Sequence, residues 1–176
     1  MKPMIVTCTP LCVVGMQIET KPMSPQIPEL WSRFVQREHE ISGVLDPRVT
    51  YGVMQIEVGG SGALRYLAGL SVTDQTAFVP AGMSAVTIPA GQYAVFEFPL
   101  SDIGSSFDFI FNNWLPSSRY TQAGSPLFER YGADFDPTVP SSRMEAYIPV
   151  ASSLNDAQLA GQAGHQRQAA SHRTLG

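Results

Sequence analysis

The strongest constraint in this sequence is an internal repeat: a strand, helix, strand, strand order occurs twice within residues 1–150. A duplicated unit buries its apolar faces against its own copy, so both halves are expected in one sheet around one core. In the first half, residues 11–18 form an apolar, β-branched run that predicts a strand. A helix is expected from Ser24 or Pro25 to Ile41, because Ile27, Leu30, Trp31, Phe34 and Val35 recur at three- and four-residue steps. Pro25 or Pro28 suits its first turn, and Gly43 can close its end. Residues 49–58 and 64–72 then predict a hairpin about Gly59-Gly60-Ser61-Gly62.

The second half follows the same order. Residues 85–98 predict a strand pair, or one long bent strand, around Pro89-Ala90-Gly91. A helix opens near Ser101 or Asp102, carries Ile103, Phe107, Ile110, Phe111, Trp114 and Leu115 on one face, and stops at Pro116. Strands are expected at 126–131 and 144–150, separated by an acidic, proline-bearing loop over 132–142. Trp31 precedes Tyr66 by 35 positions and Trp114 precedes Tyr147 by 33, so the tryptophans hold corresponding places in repeats of about 1–79 and 80–150.

Two helices cannot cover both faces of so large a sheet. The expected class is therefore α+β: an antiparallel sheet of about eight strands, both main helices on one face, and a ligand groove between the repeats. Alternation assigns Met144, Ala146, Ile148 and Val150 to the helix side and turns Glu145 and Tyr147 away. By the same reasoning Phe128 points inward, while Leu127, Glu129 and Tyr131 turn to a partly open face bearing aromatics and carboxylates.

Composition narrows the function. With 44% hydrophobic and only 15% charged residues the chain can bury a sizeable core. Lys and Arg total 11 against 15 Asp and Glu, for a net charge of −4, which disfavours direct nucleic-acid binding. Residues 151–176 contain no aromatic residue and are expected to form a mobile tail, with His165 and His172 solvated in it. Cys8 and Cys12 are spaced C-x3-C about Pro10 with no His nearby, so they read as packing residues, and neither a metal nor a cofactor is expected. The chemistry fits a reducing cytoplasm. Lys2 is the lone N-terminal positive charge and prolines interrupt the apolar stretch, so no signal peptide or membrane span is expected. Because the first strand starts within about a dozen residues, no DNA-reading module is expected ahead of it.

The stretch Pro126-Leu127-Phe128-Glu129-Arg130-Tyr131, followed by Met144-Glu145-Ala146-Tyr147-Ile148-Pro149-Val150, resembles the closing signature of the GyrI-like domain. This is the effector-binding domain at the C-terminus of many AraC-type and MerR-type regulators. Pro89-Ala90-Gly91-Gln92-Tyr93 with Phe96-Glu97-Phe98, Asn113-Trp114-Leu115-Pro116, Ile27-Pro28-Glu29-Leu30-Trp31 and Tyr51-Gly52-Val53 extend the resemblance over about residues 5–150. It implies a duplicated α+β domain whose groove takes lipophilic, often cationic compounds. The family's cation-recognising glutamate falls on Glu129, and its pocket tyrosine on Tyr147. Relatives that hydrolyse electrophilic natural products, and gyrase-inhibitory relatives that act on a protein partner, share the same implied fold.

The residues support Glu129 in their own right. A carboxylate between aromatic neighbours on a central strand is costly to desolvate unpaired, and a bound cation relieves that cost. Trp31, Tyr51, Phe96, Trp114 and Tyr147 are the candidate walls, able to add cation–π attraction. The plainer alternative pairs Glu129 with Arg130, Arg119 or Arg143 at the surface and places both tryptophans in the core. No catalytic residue is assigned: His39 is the single histidine of the folded body, G-x-S-x-G is absent, and a hydrolase would need Glu129 to activate water. The expected partner is thus a cationic or aromatic small molecule. A protein partner, or a homodimer through a strand edge such as 49–58, remains compatible with the pattern.

Overall fold

The structure, a computed structural model, describes residues 1–56, 64–73, 78–124 and 126–153. Among the described residues nine strands occur in chain order with two main helices: β1 (Met4–Cys8), β2 (Leu11–Thr20), α1 (Gln26–Val35), β3 (Thr50–Ile56), β4 (Leu64–Val72), β5 (Ser84–Ile88), β6 (Gly91–Pro99), α2 (Ile103–Phe109), β7 (Tyr120–Gln122), β8 (Leu127–Tyr131) and β9 (Arg143–Ser152). All pairings are antiparallel, in the order β1-β6-β9-β8-β3-β4-β2-β5, with β7 added on β9.

That order expresses the duplication. Reading outward from the central β3/β8 pair, β4, β2 and β5 on one side mirror β9, β6 and β1 on the other. Each half thus receives its edge strand from the other half. Residues 85–98 prove to be a bent strand rather than a hairpin, since β5 pairs with β2 while β6 pairs with β1 and β9. Val6 lies opposite Tyr93 and Val13 opposite Val86 in a single register, so β1–β2 and β5–β6 make one ribbon spanning both ends of the sheet. Extending that register sets Pro10 opposite Pro89, where neither residue has an N–H to give and the ribbon can bend.

Both helices pack on one face. Leu30 and Phe34 of α1 and Ile110 beyond α2 are fully buried in one core with Phe96, Phe98, Met144, Ala146 and Ile148. Helix α1 is shorter than its apolar period suggested. It ends at Val35, and a single 3₁₀ turn (Glu38–Glu40) follows, in which the Arg37 guanidinium binds both carboxylate oxygens of Glu40 and the carbonyl of Ala81. Helix α2 continues through a π-helical turn (Ile110–Trp114) into a last helical turn (Leu115–Ser117). Pro116 cannot donate a hydrogen bond and its ring would crowd the carbonyl four residues back, a conflict that the wider turn relieves.

The second face differs in part from expectation. Its polar end, with Arg130, Glu145 and Tyr147, is partly exposed, but its middle is a second apolar core of Val13, Val53, Leu67, Tyr93 and Phe128, closed by ribbon residues from both edges. Cys12 is buried in the first core and Cys8 packs beside the second. Strand β9 runs on to Ser152, where Ala151 and Ser152 pair with Thr121 and Tyr120. The turn expected at residues 59–62 and the tail histidines fall outside the described residues. Among the described residues no helix is long and apolar enough to cross a membrane, and no group of three or more His, Cys, Asp or Glu is placed to hold a metal ion.

Candidate functional site

The centre of the helix-bearing face holds a buried polar network. Glu129 stands on β8 and is 4% exposed. Its Oε2 accepts hydrogen bonds from the hydroxyls of Tyr66 on β4 (2.7 Å) and Tyr131 on β8 (2.8 Å). The indole N–H of Trp31, on α1, donates in turn to the Tyr66 oxygen at 3.0 Å. Trp31 also meets the Tyr131 ring edge-on at 5.3 Å, and Phe135 packs on Tyr131 at 4.6 Å.

The backbone makes this arrangement possible at Gly52. It lies on β3 between the strands of Tyr66 and Glu129 and is the cross-strand partner of Glu129. A Cβ there would stand 2.2 Å from the Tyr66 hydroxyl and 2.5 Å from Glu129 Oε2. Ala68 and Ala146 extend the row of small residues on either side, so long side chains from neighbouring rows can lean in over the carboxylate.

Electrostatically the site is a buried carboxyl held by two phenols. Burial pushes the Glu129 carboxyl above the ordinary range, and the two phenol hydrogen bonds oppose that shift without cancelling it. Burial and the adjacent carboxylate drive both phenols well above theirs, so they stay neutral donors. The arginines named as alternative partners of Glu129 are engaged elsewhere: Arg130 with Glu145 at 2.8 Å, Arg143 with Glu97, and Arg119 with the Tyr120 hydroxyl and ring.

The alternation expected for β8 is reversed. Leu127, Glu129 and Tyr131 face the helices and Phe128 faces away, stacked on Tyr147 at 4.4 Å. Phe128 and Tyr147 are cross-strand partners and must share a face. Both faces of β8 are apolar, so its alternation carries no sign until the register is known.

Among the expected walls, Trp31, Phe96 and Trp114 share the Glu129 face, with Trp114 edge-on to Phe96 at 5.0 Å. Tyr51 and Tyr147 do not: they lie in the opposite core, with Tyr51 tilted against Phe128 at 6.2 Å. The Tyr147 hydroxyl reaches Glu145 at 3.4 Å, and burial together with that carboxylate pushes its phenol up to about 12. Sequence reasoning missed Tyr66 and Gly52. The one aromatic residue in β4, at a position that alternation groups with Leu64, Ala68 and Leu70, was the available signal, because a buried phenol needs a partner.

Two surface grooves stop short of Glu129, although Phe135, which packs on Tyr131, lines the first of them. One of about 760 Å³ is lined by Glu97, Arg130, Arg143, Met144, Glu145 and the 132–142 loop, and one of about 660 Å³ lies between β2 and α1. Their charges are paired or solvated, so the buried carboxylate remains the stronger candidate although neither groove reaches it.

A family model described as the GyrI-like small molecule binding domain matches residues 1–151. The chain belongs to this family. Transcriptional regulator BrlR of Pseudomonas aeruginosa is 36% identical over 141 residues, covering 78% of this chain and 51% of BrlR, so the chain spans about half the length of that curated relative. Among solved structures, SAV2435 bound to tetraphenylphosphonium superposes with a TM-score of 0.68 at 19% identity, covering 86% of this chain and 94% of SAV2435. The integron cassette protein VCH_CASS2 of Vibrio cholerae gives 0.60 at 20% identity, covering 85% of this chain and 96% of its own. These likenesses show the fold: a mostly antiparallel nine-stranded sheet with two main helices. Membership of the GyrI-like family assigns small-molecule binding to the domain.

Proposed function

We propose that this domain binds lipophilic organic cations in a regulatory role, with the Glu129 carboxylate as counter-charge. The observation that carries the reading is a 4% exposed carboxylate held by two neutral phenols, with the nearby arginines paired elsewhere. An unpaired buried carboxylate is costly, whereas a cation that reaches it gains attraction in a poorly screened setting. The phenols keep the oxygen hydrogen-bonded in the meantime. Trp31 is the outermost member of the network and half-buried, so entry runs past its indole. Trp31, Phe135 and Trp114 supply ring faces for the hydrophobic part of the ligand. The fold is one in which SAV2435 is seen with tetraphenylphosphonium, a lipophilic cation. The match to the longer regulator BrlR fits a binding unit over residues 1–150 whose occupancy is passed to an attached segment or a partner protein. The site needs no cofactor for this and carries no catalytic step.

The test uses two probes of nearly the same shape and opposite charge, tetraphenylphosphonium and tetraphenylborate, with thermal shift and tryptophan emission on wild type and Glu129→Gln. The cation should stabilise the wild type saturably, weaken in the variant, and be recovered unchanged by mass spectrometry. Equal responses to both ions, or a cation response untouched by the substitution, would refute the counter-charge role.

A further inference from the structure

The duplication lets the two halves be compared position by position. The row through Glu129 runs Phe96, Ala146, Glu129, Gly52, Ala68, Met16 across β6, β9, β8, β3, β4 and β2. The pseudo-two-fold axis therefore passes between Glu129 and Gly52, exchanging Ala146 with Ala68 and Phe96 with Met16. Two residues along each strand, the same rotation exchanges Tyr131 with Met54 and Tyr66 with Met144.

Every hydrogen-bonding member of the central network thus has an apolar or bare mate: Glu129 faces Gly52, Tyr131 matches Met54, and Tyr66 matches Met144. The helices follow suit. Trp31 gives its indole N–H to Tyr66, whereas the contacts of Trp114 are with rings, edge-on to Phe96 at 5.0 Å and stacked on Tyr120 at 6.1 Å. The polar side chains gather beneath Trp31 of α1, which touches both Tyr66 and Tyr131, and this polar lobe meets at the carboxylate an apolar lobe beneath α2 and its π-helical extension, formed by Met144, Phe96 and Trp114.

The two lobes do not yield equally to an entering group. Hydrocarbon pushed into the α1 lobe breaks the Trp31–Tyr66 and Tyr66–Glu129 hydrogen bonds and leaves buried donors unmet. Pushed into the α2 lobe it exchanges one set of apolar contacts for another, and Met144 has the rotatable bonds to re-pack around it.

We infer that the site takes cations whose charge lies at one end of a lipophilic arm, the charge beside Glu129 and the arm laid toward Met144, Phe96 and Trp114. The inference rests on the cation reading above and adds a direction and a ligand shape to it.

The chain has two tryptophans, one in each lobe, which makes the direction measurable. Trp31→Phe leaves only Trp114 emitting, and Trp114→Phe leaves only Trp31. Each is saturated with (4-phenylbenzyl)trimethylammonium and with its analogue brominated at the far end of the arm, and the difference in emission isolates quenching by the bromine. The bromine-dependent loss should be several-fold larger for Trp114. Equal loss, or a larger loss for Trp31, overturns the orientation.

A measurement on unsubstituted protein gives the same answer independently. With methyl-labelled methionines, contacts from the outer ring of the arm should appear at the Met144 methyl; contacts at Met16 instead overturn the inference. Failure of the underlying reading looks different. In that case the wild type is stabilised no more by the ammonium compound than by its neutral isostere with carbon in place of nitrogen.

Discussion

The hydroxyl of Tyr66 donates a 2.7 Å hydrogen bond to Glu129 Oε2 across the bare backbone of Gly52, joining β4 to β8 over the intervening strand β3. Two strands of the central sheet are thereby tied together by one carboxylate across a third, and the tie depends on the absence of a side chain. Gly52 has an ordinary strand conformation and pairs regularly on both sides. Its role is space, not backbone freedom.

Gly52→Ala is therefore expected to act on the site first. Its Cβ would lie well inside contact distance of both oxygens, and overpacking of this kind costs about 1–3 kcal/mol. Cation affinity should fall together with the melting temperature, and Trp31 emission should shift as its acceptor moves. A variant that melts like wild type with unchanged emission would show that the phenol and carboxylate do not need this space.

The ionisation of Glu129 sets a pH dependence with a definite sign. In the unfolded chain a glutamate titrates near about 4.3, while burial holds Glu129 higher in the folded domain. The folded state therefore holds this proton more tightly. The resulting stability is complete below the unfolded value and is lost as pH rises through the folded one. Melting temperatures of the empty domain should decline across that window, and Glu129→Gln, which has no proton to lose there, should remove this part of the slope. Cation affinity should run the opposite way and rise over the same window, because binding needs the ionised form. Calorimetry in buffers of different ionisation enthalpy should detect the proton released.

Much of the fold was legible because the repeat imposes it. The helix stripes of Ile27, Leu30, Phe34 and of Phe107, Ile110, Trp114 both face the sheet, and Met144, Ala146, Ile148 and Val150 face the helices as their spacing implied. The site was legible only in part. Glu129 stood out as a charge among aromatics, yet which way it pointed depended on β8 being apolar on both faces and on a register that no local pattern encodes. Tyr66 lies 63 positions away in sequence, and nothing around it announces a carboxylate partner. The exchange of β1 and β5 between halves was equally hidden, because each is joined to its successor by two residues and reads locally as a hairpin.

The placement of Tyr51 and Tyr147 on the opposite face makes a negative prediction that separates the two faces. Tyr147→Phe and Tyr51→Phe remove hydroxyls without altering ring packing against Phe128. Cation affinity should stay within about twofold of wild type in each, a change of roughly 0.4 kcal/mol. A tenfold loss in either would mean that the ligand sits on the Phe128 side and would move the site away from Glu129.

The two phenols that bind Glu129 are not equivalent, and paired substitutions should show it. Tyr131→Phe removes one donor from the carboxylate and leaves the Trp31–Tyr66–Glu129 chain intact. Tyr66→Phe removes a donor from Glu129 and also deprives the Trp31 indole N–H of its acceptor. A charge-assisted hydrogen bond contributes about 1.5–3 kcal/mol, and a stranded donor adds its own desolvation cost. Tyr66→Phe should therefore destabilise the domain at neutral pH by about 1 kcal/mol more than Tyr131→Phe. Each loss withdraws stabilisation from the anion, so the window in which Glu129 titrates should move to higher pH in both variants. Combining Tyr66→Phe with Glu129→Gln should cost less than the two single changes added together, because the hydrogen bond they share can be lost once. Strict additivity in that cycle would show that the two groups do not interact in solution.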